Sequence, residues 1–131
     1  LDIHIELDPW SEVRQKLIHN EINIVLGMFY SSERDKTFDF SDAHTLVSHV
    51  VAARKETPLP EDMSGLAGKV IVVMNGDIMH DRATEAGYEK QLILTDTQEE
   101  ALYLLSNGQA EYALLAKIPA LYWIKKEEIK Y

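Results

Sequence analysis

Cysteine is absent from the 131 residues, which excludes a disulfide framework, a thiol nucleophile and a thiolate metal site, and leaves the redox compartment open. Basic side chains are scarce: 13 Lys and Arg stand against 22 Asp and Glu, giving a formal net charge of −9 and a pI near 4.9. A surface of that sign argues against nucleic acid and anionic lipid as partners, because either needs a basic patch to release counterions. Long apolar runs are also missing. The stretch Val70 to Met74 is representative, far short of the roughly 20 residues of a membrane helix, and no signal-peptide pattern opens the sequence. There is no low-complexity tract, Ser/Gly linker or repeat. Neither a G-x-S-x-G elbow nor a G-x-x-x-x-G-K phosphate loop occurs, so the common nucleophile and phosphate-binding motifs are out.

What is present is ordinary globular composition, 46% hydrophobic and 27% charged, in a chain of common domain size that can bury roughly two thirds of its unfolded surface. Leu1 is not an initiator methionine, and the sequence starts inside a strand-like pattern. The expectation is a piece cut from something longer.

Leu1, Ile3, Ile5 and Leu7 alternate with Asp2, His4, Glu6 and Asp8, the period-two pattern of a strand buried on one face. Asp8 is expected to cap a short helix with Pro9 at its first position, presenting Trp10, Val13 and Leu17 on one face and ending near Asn20. Two further strands are predicted, over Ile22 to Leu26 and Thr45 to Ala53, joined by the polar segment Ser31 to Asp42. From Arg54 to Asp62 the composition turns charged and proline-rich, which marks a boundary.

Beyond it the pattern is regular. Val70 to Met74, Leu92 to Leu94 and Tyr112 to Leu115 read as strands, alternating with helices from about Ile78 to Ala86, from Gln98 to Ser106, and from about Ile118. Strand and helix in this alternation imply right-handed crossovers and a parallel sheet, hence an α/β fold. Thr97-x-x-Glu100 has the spacing of a capping box, and Asn107-Gly108 supplies a left-handed stop. Ligands of such sheets sit outside the carboxyl ends of the strands, which places Asn75-Gly76-Asp77, Ala116-Lys117 and Phe29 to Arg34 around one cleft.

The run Gly27-Met28-Phe29-Tyr30-Ser31-Ser32-Glu33-Arg34, closed by Phe40-Ser41-Asp42, resembles the G-M-T-x-T-x-E-R … F-S-x-P-Y signature of bacterial extracellular solute-binding proteins of family 3 and their sensor-kinase relatives. Further blocks agree in order and spacing: Pro9-Trp10-Ser11-Glu12-Val13, Asn23-Ile24, Leu66 to Val70 before Asn75-Gly76, and Leu104 to Glu111. The resemblance implies a two-lobed periplasmic-binding-protein-like fold, with residues 1–55 as a partial first lobe and hinge strand and residues 56–131 as most of the second. It also implies a fragment, since the first strand and helix of the first lobe, the return hinge strand and the closing helices have no counterpart. In the family, the arginine matching Arg34 pairs bidentately with a ligand carboxylate, as a planar guanidinium fork can. Read from the residues alone, Arg34 is equally a surface arginine paired with Glu33, Asp35 or Asp39.

Three departures bear on the pocket. Phe29 stands where the family has a hydroxyl residue. Gly76-Asp77-Ile78 replaces a Gly-Ser-Thr turn, so an acid sits where an anion is expected, and Asp77 can itself cap the helix that follows. Ala116 falls where an acid would hold a ligand's ammonium. The candidate ligand-binding set is therefore Arg34, Phe29, Gly27, Asp77, Gly76 and Ala116, with no catalytic residue, no metal and no cofactor. His44 is either a cleft-facing group that titrates near neutral pH or a partly buried hinge-side histidine. His44 and His49, five apart on strand-like sequence, point to opposite faces and make no metal pair. Asp77, His80 and Asp81 share a helix face that reads as a solvated helix end, and Tyr112, Tyr122 and Trp123 read as packing.

The resemblance implies an extracytoplasmic ligand-sensing domain of a histidine-kinase type of signalling protein, non-enzymatic in itself. It would be periplasmic as part of an inner-membrane chain, and closed about its hinge near Ala52 to Thr57 by a small, carboxylate-bearing molecule. The alternatives are a transport-associated receptor for a polar solute, a dehydratase-like enzyme of the same fold, or an incomplete lobe pair that homodimerises through exposed sheet edges.

Overall fold

Both faces of the sheet carry apolar side chains, and this is what makes its strands near-continuous hydrophobic runs. A computed structural model describes residues 2–126. Among them four strands form one sheet, β1 (His49–Ala53), β2 (Ile71–Met74), β3 (Leu92–Thr95) and β4 (Tyr112–Ala116), in the order β1-β4-β2-β3. β2 runs parallel to both β3 and β4, while β1 lies antiparallel on the outside of β4 with His49 opposite Ala116. The helices are α1 (Trp10–Ile18), α2 (Ile78–Glu85), α3 (Gln98–Ser106) and α4 (Lys117–Lys126).

Strand alternation divides the core. Ile71, Val73, Tyr112 and Leu114 face α2 and pack on Ile78, Met79 and Ala83. Val72, Ala113 and Leu115 face the other way, onto Ala101, Leu102 and Leu105 of α3 and Ala120 of α4. The result is a three-layer α/β/α unit; its α/β class is what the regular second half predicts. The chain leaves β2 through α2 on one face and β4 through α4 on the other, so the two central strands part company at their carboxyl ends. That divergence is a topological switch point, where a crevice must open.

The predicted caps form with one change. Thr97 Oγ1 accepts the Glu100 N–H at 3.1 Å, but the Glu100 carboxylate accepts from Asp96 N–H at 3.2 Å, one residue before the cap. Gly108, at φ 77°, ends α3 in the left-handed region as expected. Arg54 adds a support the sequence did not suggest, donating through Nη1 to the carbonyls of Leu105 and Ala110, both at 2.7 Å.

The first half departs from expectation. Residues 2–9 hold no regular structure, and Ile3, Ile5 and Leu7 are exposed. Ile22 to Leu26 is likewise irregular, and of Thr45 to Ala53 only the last five residues pair. A strand needs a neighbour, and neither edge of the sheet takes up these segments. Asp8 does not cap α1. Its carboxylate instead accepts from the Lys16 ammonium at 2.6 Å, joined by Glu6 at 3.1 Å, and these two bonds, Asp8 first, hold the lysine above its ordinary pKa. α1 does end as predicted, with Asn20 at φ 58°.

Candidate functional site

The loop after β2 turns on Gly76, whose φ of 72° few other residues adopt. Its carbonyl accepts two hydrogen bonds from the first half of the chain, from Trp10 Nε1 at 2.7 Å and Arg34 Nη2 at 2.9 Å. Its N–H donates to His80 Nδ1 at 3.0 Å. Asp77 then caps α2, its carboxylate accepting from Met79 N–H at 2.8 Å with 4% of the residue exposed. Helix α2 presents Asp81 one turn further on.

Arg34 is neither on the surface nor paired with Glu33, Asp35 or Asp39, contrary to one reading of the sequence. It is 2% exposed, donates through Nε to Asp81 Oδ2 at 2.8 Å, and reaches the Phe29 carbonyl through Nη1 at 3.4 Å. With Gly76 this gives each guanidinium nitrogen one partner. The backbone holds it there: Ser31 Oγ accepts the Arg34 N–H at 3.2 Å at the start of a 3-10 turn, Arg34–Lys36, and the Trp10 ring lies 6.0 Å from the guanidinium carbon.

Of the residues singled out in the sequence, Phe29, Arg34, Gly76 and Asp77 converge at this edge of the sheet. Ala116 joins through β1: it pairs with His49, whose ring meets the Phe29 ring edge-on at 4.7 Å. Gly27 does not join them; it is exposed at φ 88° with nothing within 4 Å of where a Cβ would stand. His44 is exposed, which corrects its reading as a partly buried group. Asp77, His80 and Asp81 do share one region, yet each is engaged, by a cap, by Gly76 and by Arg34. Tyr112 packs in the core and donates to the Pro58 carbonyl at 2.7 Å, whereas Tyr122 is largely exposed.

Sequence reasoning overlooked Asp81 as the partner of Arg34, and Trp10 and Arg14 as the α1 groups that meet Gly76. The i, i+4 spacing of Trp10 and Arg14 was the available signal. Sequence reasoning weighed His49 only as a metal ligand and gave it no place beside Phe29 and Ala116. The His49 Nε2 is buried without a partner among the described residues. Burial lowers its pKa, Asp77 opposes this, and Arg82 and Arg34 add to the lowering. A histidine whose folded pKa lies below its unfolded value makes the unfolded state the better proton binder, so its effect is to raise stability with pH and remove it as pH falls below about 6.5. The drop in melting temperature between pH 7.5 and pH 5.5 should therefore be smaller in His49→Leu than in the parent chain. An equal drop would mean that His49 takes no part in acid sensitivity.

A wide cleft of about 490 Å³ opens between α1 and the Asn75-Gly76 loop with the first turn of α2, His80 and Asp81 included. Among the described residues no three His, Asp or Glu side chains are placed so that they could hold a metal ion, and no described helix is long and apolar enough to cross a membrane.

Comparison with known proteins agrees with this architecture. A solved histidine kinase sensor domain with similarity to periplasmic binding proteins superposes with a TM-score of 0.86 at 33% identity, over 92% of this chain and 53% of that one. The arginine-, lysine-, histidine-binding protein ArtJ of Geobacillus stearothermophilus superposes at 0.81, with 22% identity over 100% of this chain and 60% of that one, a likeness of fold alone. The virulence sensor protein BvgS of Bordetella pertussis is 22% identical over 122 residues, which are 93% of this chain and 10% of BvgS. The membrane-bound lytic murein transglycosylase F of Shewanella baltica is 25% identical over 122 residues, 87% of this chain and 26% of the enzyme. The chain thus spans about half of the solved sensor domain and smaller shares of these two relatives. The family model for bacterial extracellular solute-binding proteins, family 3, matches residues 1–128, and this chain belongs to that family.

Proposed function

We infer that the chain is an extracytoplasmic small-molecule-sensing unit of a bacterial signalling protein of the histidine kinase type. The observation that carries this reading is the 33% identity and TM-score of 0.86 to a histidine kinase sensor domain; the match to the sensor protein BvgS supports it. Residues 1–55 would supply the first-lobe part and residues 56–131 the second. In the parent protein the unit would lie in the periplasm, tethered to the inner membrane by chain outside this segment.

Arg34 links the two parts. Its contacts with Gly76 and Asp81 cross from the first to the second, so any separation of α1 and the Phe29 to Phe38 segment from α2 must break them. A ligand with different affinities for the joined and separated arrangements would shift their populations, about a hinge near Ala52 to Thr57, and the signal is that shift. Phe29, Asp77, Gly76 and Ala116 would shape the crevice around Arg34. A catalytic step is not part of this reading.

A transport receptor is the second reading, favoured by the shared fold with ArtJ. The two separate on one experiment. A compound that raises the chain's melting temperature should change the autophosphorylation rate of the full-length protein several-fold when added to it in vesicles. If the full-length protein carries no kinase core, or its phosphorylation ignores every compound that binds, the sensor reading fails.

A further inference from the structure

Two guanidinium groups converge on one carboxylate beside the loop after β2. Arg34 takes Asp81 Oδ2 at 2.8 Å and completes its fork on the Gly76 and Phe29 carbonyls. Arg14 is left with Oδ1 at 3.5 Å, the long limit of a hydrogen bond. Its Nε is buried with no partner among the described residues, while 27% of its side chain stays exposed to solvent. Two cations share one anion here, and the shortfall falls on Arg14.

Arg14 also stands where an anion can reach it. It lines both the cleft of about 490 Å³ beside α1 and an adjoining one of about 440 Å³ that has Arg34 in its wall. Donors gather in the larger cleft. His80 Nδ1 accepts the Gly76 N–H, so the ring presents Nε2–H as its donor, and the Asn75 amide and Ser11 hydroxyl share the lining. Lys16 is also there, but Asp8 and Glu6 hold its ammonium. Glu12, Glu21 and Asp81 also line the cleft; their charge opposes any anion away from direct contact with Arg14, and a dianion most.

We propose that this cleft binds a small monocarboxylate whose carboxylate rests on Arg14 and the His80 Nε2–H, leaving the Arg34 to Asp81 link intact. The bidentate geometry available to a guanidinium suits that group. The proposal rests on the solute-binding reading and moves its anion contact from Arg34 to α1.

Isothermal titration of the 131-residue chain with lactate, acetate, succinate, inorganic phosphate and ethanolamine tests it. Lactate or acetate should bind, succinate and phosphate at least tenfold more weakly, and Arg14→Gln should weaken the monocarboxylate at least tenfold, with partial recovery in Arg14→Lys. Glu12→Gln, a second probe that leaves Arg14 in place, should narrow the gap between lactate and succinate. Monocarboxylate binding unchanged in Arg14→Gln overturns the proposal, and so does a preference for phosphate or succinate. Binding of ethanolamine alone overturns it while the solute-binding reading stands; no binding by any of the five compounds counts against both.

Discussion

Leu114→Ala is expected to lower the unfolding free energy by about 3 kcal/mol, read from urea denaturation, because it removes a large side chain from a site with little room to collapse. Leu114 is 1% exposed on β4, an interior strand of the sheet, and packs in the same cluster as Ile71, Val73 and Ile78. The comparison that gives the number meaning is Leu7→Ala. Leu7 is equally large and belongs to the alternating run that opens the sequence, yet it is 93% exposed, so its loss should stay within about 0.5 kcal/mol. A comparable cost at both positions would mean that the opening segment is packed against a sheet and would contradict the fold described above.

Arg34→Met should be as damaging, by about 3 kcal/mol. The substitution keeps most of the apolar stem but removes the fork, leaving Asp81 with the long contact to Arg14 and withdrawing one of the two donors on the Gly76 carbonyl. The Asp81 side chain is 24% exposed, so water takes back part of its solvation, which places the effect at the low end for a broken buried pair. Arg34→Lys should recover less than half of the loss, since a single ammonium cannot serve Asp81, Gly76 and Phe29 from one position. A ligand arginine held open in a pocket behaves otherwise: truncating it leaves stability nearly unchanged and removes binding. The stability measurement therefore separates a fork committed to the fold from one waiting for a ligand.

The second half of the chain was legible because its signals agree at several levels. Ile71 to Val73 and Tyr112 to Leu115 are apolar on both faces because α2 covers one and α3 and α4 the other, and Asp77, Thr97 and Gly108 mark helix ends through local bonds that need no distant partner. In the first half α1 forms as read and β1 in part, while the strands expected at its start and over Ile22 to Leu26 failed for a physical reason. Alternation over Leu1 to Leu7 and the apolar run Ile22 to Leu26 record a capacity to pair, whereas pairing depends on a neighbouring strand that no local pattern reveals.

The same distinction runs through the site. The alternation of strand and helix put Gly76, Asp77 and Ala116 at the carboxyl edge of the sheet, and the Asp77 cap could be read from its place before Ile78. The partner of Arg34 could not be read, because Asp81 lies 47 positions away and three acids close in sequence compete for the same arginine. Nothing local said that Trp10 and Arg34 would share one carbonyl, that of Gly76. His49 escaped for a related reason: its neighbours Phe29 and Ala116 come from opposite ends of the chain.

The shortest ion pair between the two parts of the chain is Arg34 to Asp81, at 2.8 Å, and a double-mutant cycle measures it. Unfolding free energies of the parent chain, Arg34→Met, Asp81→Asn and the double variant should give a coupling of about 1–3 kcal/mol, as residues in direct contact do. Additivity within about 0.3 kcal/mol would show that Arg34 and Asp81 do not meet in solution, and would return Arg34 to the ligand.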